Sequence, residues 1–250
     1  MWFLYSIIAL FCWSGSDLFS KIGTKQDDKN SHWKIMFAVG IVMGIHFIIT
    51  LIGGAIIKDP ERVPKFVASL FYTDFKLNDF LIYSPIAFVY ILAMFIGYIG
   101  LRYIELSISS PICNSSGSLA LVFCFIISKI WFKDSPIEFN VPDLIGVILV
   151  AVGIISLGFV ESREDDELRI KRQEYSNRKY SKSFWAILIP VIYLIIDALG
   201  AVGDYLLGQL NSGEEELISE YASNSAFELT FLILAIVSFL WLFFKKKDAK

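Results

Sequence analysis

Histidine and cysteine are scarce in this 250-residue chain, at two and three residues, and charged residues make up only 19% of it. The three cysteines, Cys12, Cys113 and Cys124, all fall within apolar stretches. An odd count in such surroundings argues against a disulfide framework, and they read as small core hydrophobes. His46 has no metal-ligand partner at helical spacing, and there is no HExxH, no clustered Cys/His, no glycine-rich phosphate loop and no nucleophile–base pair. An enzyme is therefore not expected, and neither is a cofactor, a metal or a nucleic-acid partner. Alternating strand patterns are also missing, which excludes a membrane β-barrel. The chain opens directly on Met1-Trp2-Phe3-Leu4 without a basic leader. Residues 1–22 thus read as a first membrane span rather than a cleaved signal.

What the chain has in abundance is apolar length. The hydrophobic fraction is 56%, with 22 Phe, more than a soluble domain of this size can hide from water. Runs of about 20 apolar residues recur, the length of helix that crosses a hydrocarbon core of roughly 30 Å. The expected fold class is an all-α polytopic membrane protein with about seven spans, near 2–22, 33–57, 79–104, 107–132, 143–160, 184–208 and 223–244. Val63–Phe75 carries enough apolar residues for a short interfacial helix. Arg102-Tyr103-Ile104-Glu105 demands a tight hairpin between the third and fourth spans. Gly40 and Gly44 form a GxxxG pair, and Gly146 and Gly153 share one face of the fifth span. Both pairs permit close helix approach.

Residues 161–182 form a charged connector, expected to be a solvated linker that also fixes topology. It separates a block at 1–160 from a second block at 183–250. Numbering the loops alternately places 16 of the 22 Lys and Arg on the side that holds this linker and the C-terminal lysines. By the positive-inside rule the linker and the C-terminus are cytoplasmic in a multi-pass protein of the plasma membrane. The two blocks echo each other. Trp13-Ser14-Gly15-Ser16-Asp17 and Leu199-Gly200-Ala201-Val202-Gly203-Asp204 each set small residues before an aspartate late in an apolar run. A block of five spans reverses the entry side of the next, so the expected relation is an inverted repeat of the secondary-transporter kind.

The opening Trp13-Ser14-Gly15-Ser16, the Gly100-Leu101-Arg102-Tyr103 turn with Ser107-Ile108-Ser109-Ser110 after it, and Gly146–Gly153 resemble EamA-type members of the drug/metabolite transporter superfamily across residues 1–160. That resemblance implies two inverted five-helix repeats, a central cavity and alternating access. This chain departs from it in having Asn114-Ser115-Ser116-Gly117-Ser118 where members usually carry a mid-helix proline, and Lys133-Asp134 in place of a Glu-Arg pair. Against the ten-helix pattern it holds one five-helix repeat and the first two helices of the next. It is expected either to be C-terminally shortened or to complete its cavity as a homo-oligomer.

The candidate solute or proton pathway consists of Asp197, Asp204, Asp17, Asn114, Ser115, Tyr98 and Ser14. Asp197 and Asp204 are seven apart, on one helix face within about 20°. An ionised carboxylate at mid-membrane costs roughly 2.5–3.5 kcal/mol, so Asp197 is expected to face the protein interior and exchange protons there. Asp17 has a structural alternative, a local pair with Lys21 one turn on. The Asn114–Ser118 cluster either hydrogen-bonds a polar solute along irregular backbone or simply packs helices. Tyr90 and Tyr98 offer aromatic walls with a hydroxyl handle. Glu228, early in the last span, is expected to reach the interface. The function expected is secondary transport of a small organic solute, with the lipid bilayer as its other partner. A seven-helix receptor or sensor is the alternative.

Overall fold

The computed structural model describes residues 2–24, 28–104, 106–132, 140–163, 184–211 and 216–248, and the described residues are helical without strands. The described residues form nine α-helices, in chain order α1 (Trp2–Gly23), α2 (Ser31–Ile56), α3 (Lys65–Phe71), α4 (Leu77–Gly100), α5 (Leu106–Cys113), α6 (Ser116–Trp131), α7 (Val141–Arg163), α8 (Phe184–Asn211) and α9 (Glu220–Asp248). The 161–182 linker lies outside the described residues from 164 onward.

Five stretches are long and apolar enough to cross a membrane: Ser31–Ile56, Leu77–Gly100, Ile108–Trp131, Leu188–Asn211 and Glu220–Lys245. The chain is thus an α-helical membrane protein, with five such spans among the described residues against the seven expected. The stretches expected as first and fifth spans are helical, as the 22-residue α1 and as α7, but neither is among these five; the apolar part of α7 is the shorter Val141–Ser156. Large apolar side chains such as Phe11, Phe19, Ile52, Leu81 and Ile155 stand exposed at 56–74%. Such faces are stable against lipid rather than water.

Polar residues mark the helix ends. Asp79 Oδ2 accepts from Lys76 N at 2.7 Å, and Asp143 Oδ2 accepts from Asn140 N at 2.9 Å. Each is a third-position acid reaching back to the residue before its helix, which satisfies a donor the helix leaves open. Inside the spans, hydroxyls bond to their own helix: Thr50 to Phe47 O, Ser128 to Phe125 O and Ser238 to Leu234 O. With no water to serve them, this is the cheapest partner available.

The helices group into two compact units that interleave along the chain. The first comprises residues 1–31 and 93–202, the second 32–92 and 203–250, so α4 and α8 contribute to both. These are spatial groupings, different in kind from the sequence blocks 1–160 and 183–250.

The first unit is centred on Ile104, Ile108 and Ile112, packed by Ile154, Val191 and Leu194. At the end of α4 the chain turns sharply through Leu101–Ile104, with Tyr103 N and Ile104 N both bonded to Gly100 O. Lys21 Nζ reaches across from α1 to donate to Leu101 O at 2.6 Å and Ile104 O at 2.9 Å. A cation at the carbonyl end of a helix supplies the donors that end lacks.

The second unit has its core at Tyr83, Ala87, Leu207, Ile218, Ala222 and Ala226. Its helices α2 and α9 meet at the GxxxG pair. A Cβ on Gly40 would stand 2.5 Å from Phe231 O, and one on Gly44 would stand 2.5 Å from Leu232 Cδ1. No larger residue fits at Gly40 without moving the α9 backbone, and one at Gly44 would have to displace the Leu232 side chain. Gly146 and Gly153 behave differently: neither has an atom within 4 Å of where a Cβ would be. Among the described residues the close approach they permit is not made, because α7 turns these positions outward, where both residues are exposed.

Candidate functional site

The predicted fourth span is broken. α5 ends at Cys113, Asn114 and Ser115 form a turn, and α6 starts at Ser116. Two features weaken helical hydrogen bonding around the break. Pro111 has no N–H to bond the preceding turn, and the run Asn114-Ser115-Ser116 offers side-chain alternatives to helical hydrogen bonds. Ser115 is buried, and its hydroxyl donates to Ile112 O at 2.6 Å. It therefore stabilises the turn itself rather than facing a solute.

Around this break the first unit assembles a largely apolar cavity with polar groups on its wall, from α1, the end of α4, α5 and α8. Asp17 Oδ2 accepts from Ser110 Oγ at 2.5 Å and from Asn114 Nδ2 at 3.5 Å, while Asn114 Nδ2 also donates to Ser110 Oγ at 2.9 Å. Trp13, Tyr98 and Tyr193 wall the space. Tyr193 lies against Gly97, where a Cβ would stand 2.9 Å from the ring, so the glycine makes room for the aromatic wall. The cavity volume is about 40 Å³, enough for one or two waters.

Tyr98 is the residue that stands out. Its side chain is 7% exposed, it lines the cavity, and its hydroxyl has no hydrogen-bond partner among the described residues. A buried hydroxyl left unbonded costs about 1–3 kcal/mol, a cost removed when water or a ligand supplies the partner. On the far side of the helix break, Asp197 Oδ2 accepts from Ser116 Oγ at 2.5 Å. Asp17 and Asp197 thus hold the residues on either side of the turn, Ser110 and Asn114 by Asp17, Ser116 by Asp197.

Asp204 is not part of this cluster. It belongs to the second unit, where both of its oxygens accept tyrosyl hydroxyls, Oδ1 from Tyr83 at 2.8 Å and Oδ2 from Tyr90 at 2.7 Å. The two tyrosines are seven apart on α4 and so share a face. Of the remaining predicted residues, Ser14 is exposed on α1 and does not line the cavity. The structure therefore brings Asp17, Asn114 and Tyr98 around one space, holds Asp197 beside it through Ser116, and places Ser14, Ser115 and Asp204 in other roles.

Sequence reasoning missed Ser109 and Ser110 as cavity residues, and it missed Glu228. Expected at the interface, Glu228 is 7% exposed and accepts from His46 Nδ1 at 2.5 Å. The two are 182 residues apart in sequence, so no local pattern exposes the pair. The only available sign was that each is a lone ionisable residue in an apolar run. Among the described residues no group of three or more His, Cys, Asp or Glu is arranged to hold a metal. No protein-family model matches the chain, and no curated protein or solved structure matches it.

Proposed function

We propose that this chain is a secondary transporter of a small organic solute and that the Asp17 cavity lies on the solute's path. One observation carries this reading: a carboxylate and a buried, unpartnered tyrosine hydroxyl line the same space beside a broken helix. Non-helical backbone at membrane depth is tolerated where it borders a cavity, and helix breaks of this kind serve as binding elements in transporters. The cavity's present volume is too small for an organic solute, so transport requires the walls to open, as alternating access does. In this reading Asp17 takes the charged or hydrogen-bonding group of the solute, Tyr98 donates to it, and Asp197 exchanges the proton. The membrane is the plasma membrane, with the C-terminus on the cytoplasmic side. The architecture is the inverted repeat of the EamA-type resemblance, with about seven spans in this chain.

The test is uptake of a panel of labelled amines, amino acids and nucleobases into proteoliposomes holding the full chain, with and without a pH gradient. At least one solute should accumulate above protein-free vesicles. Asp17→Asn should bring its uptake to background, and Asp197→Asn should remove the dependence on the gradient. Flux unchanged in both variants overturns the assignment. Saturable binding without any flux favours the seven-helix sensor instead.

A further inference from the structure

A second pocket, which the transport reading does not use, lies wholly within the second unit. It encloses about 260 Å³ among the middle of α2, the end of α3 and the first turns of α9. At its side Glu228 is all but sealed from solvent, with Oε1 taken by His46 and Oε2 buried without a hydrogen-bond partner among the described residues. Aromatic rings face the same space. Tyr72 and Tyr221 meet edge to face at 5.1 Å between centroids, and Phe227 lines the pocket with them.

Three nearby hydroxyls do not compete for the free oxygen, because they are bonded among themselves and to backbone. Ser225 Oγ donates to Thr73 Oγ1 at 2.8 Å, Thr73 Oγ1 to Tyr221 O at 3.4 Å, and Thr50 Oγ1 to Phe47 O at 2.9 Å. Burial, and then the Asp74 carboxylate, hold the Tyr72 phenol above its ordinary range, so it stays a neutral aromatic wall. No Lys or Arg lines the pocket among the described residues.

We propose that this pocket is a binding site for a small organic ammonium group, with Glu228 as its counter-charge and Tyr72, Tyr221 and Phe227 as its aromatic cage. An oxygen acceptor shut away from water asks for a donor, and a charged N–H donor satisfies it most strongly. Aromatic faces attract the same cation, and more so where water is excluded. An anion would meet the Glu228 carboxylate with His46 as the one nearby group to offset it and no Lys or Arg among the described lining residues. The volume lies just under the 300–1,000 Å³ common for ligand pockets, which suits a small amine rather than a drug-sized cation. The ammonium has two sources, a free amine or the headgroup of phosphatidylethanolamine.

The deciding experiment titrates the full chain, purified in lipid-free detergent, with 2-phenylethylamine and with its neutral counterpart 2-phenylethanol, followed by calorimetry. The amine should bind about tenfold more tightly, the worth of one charge-assisted contact. Glu228→Gln should abolish that preference. Tyr72→Leu leaves the His46–Glu228 pair in place and should weaken the amine severalfold while leaving the alcohol unchanged, a check that holds if Glu228→Gln fails to fold. The same titrations on Asp17→Asn separate this pocket from the other carboxylate cavity. Equal binding of amine and alcohol, no binding of either, or a preference that survives Glu228→Gln and disappears in Asp17→Asn overturns the proposal. Repeating the titration in phosphatidylglycerol vesicles with and without phosphatidylethanolamine identifies the source. A weakening by phosphatidylethanolamine that Glu228→Gln removes marks the headgroup as occupant, and equal affinities mark the free amine.

Discussion

Asp17 and Asp204 occupy similar sequence settings, small residues followed by an aspartate late in an apolar helix, yet they sit in opposite kinds of surroundings. Asp204 has a tyrosyl hydroxyl on each oxygen, packed beside the dense core of Tyr83, Ala87 and Leu207. Asp17 has its two donors crowded onto one oxygen, in a cavity that also holds an unbonded tyrosine hydroxyl. A carboxylate with every acceptor satisfied by fixed donors holds helices together, whereas one bordering a cavity keeps an oxygen that no fixed donor takes. The same residue type in the same local pattern thus serves cohesion in one unit and, in the proposed reading, binding in the other.

The comparison breaks most visibly under substitution of the aspartates. Asp17→Asn should bring solute uptake to background while shifting stability little, because the amide keeps an oxygen for Ser110; uptake in proteoliposomes and thermal unfolding in detergent read the two effects. Asp204→Ala should do the reverse for stability. It removes the acceptor shared by Tyr83 and Tyr90 and should cost about 3 kcal/mol in a denaturation series. If Asp204→Ala unfolds no more easily than Asp17→Asn, the contrast fails. Next in size is Gly40→Val, which drives a side chain into Phe231 O and Ala235 and should cost about 2 kcal/mol by overpacking. Gly146→Ala should instead gain about 0.5 kcal/mol, since nothing stands near that position and alanine favours the helix. The smallest effect belongs to Tyr98→Phe. Removing an unpartnered hydroxyl should leave stability within about 1 kcal/mol of the parent or raise it, while solute affinity falls.

Much of the fold was legible because helices are local. The apolar runs that announce spans 33–57, 79–104 and 184–208 became α2, α4 and α8 within a few residues, and the short helix expected within Val63–Phe75 is α3. The fourth span shows the limit. Asn114-Ser115-Ser116 signalled irregularity, but whether the break packs helices or borders a cavity depended on what Asp17 and Asp197 reach from other helices. Lys21 shows it as well. One turn from Asp17, it suggested a local pair, and in the folded chain it donates to the carbonyls of Leu101 and Ile104, 80 and 83 residues away.

By itself the sequence determined that this protein is helical and lives in a bilayer. Lipid cannot satisfy backbone polar groups, so each long apolar run has to close its hydrogen bonds within itself. It also determined where several helices begin, through acids such as Asp79 and Asp143 that act within one turn. Only the tertiary structure decided which carboxylates are held and which stand open. That depends on hydroxyls and rings brought from 93 to 182 residues away, Ser110 to Asp17, Tyr83 to Asp204 and His46 to Glu228. A hydrogen bond is won or lost over less than an ångström, and no spacing within one helix can specify a partner on another.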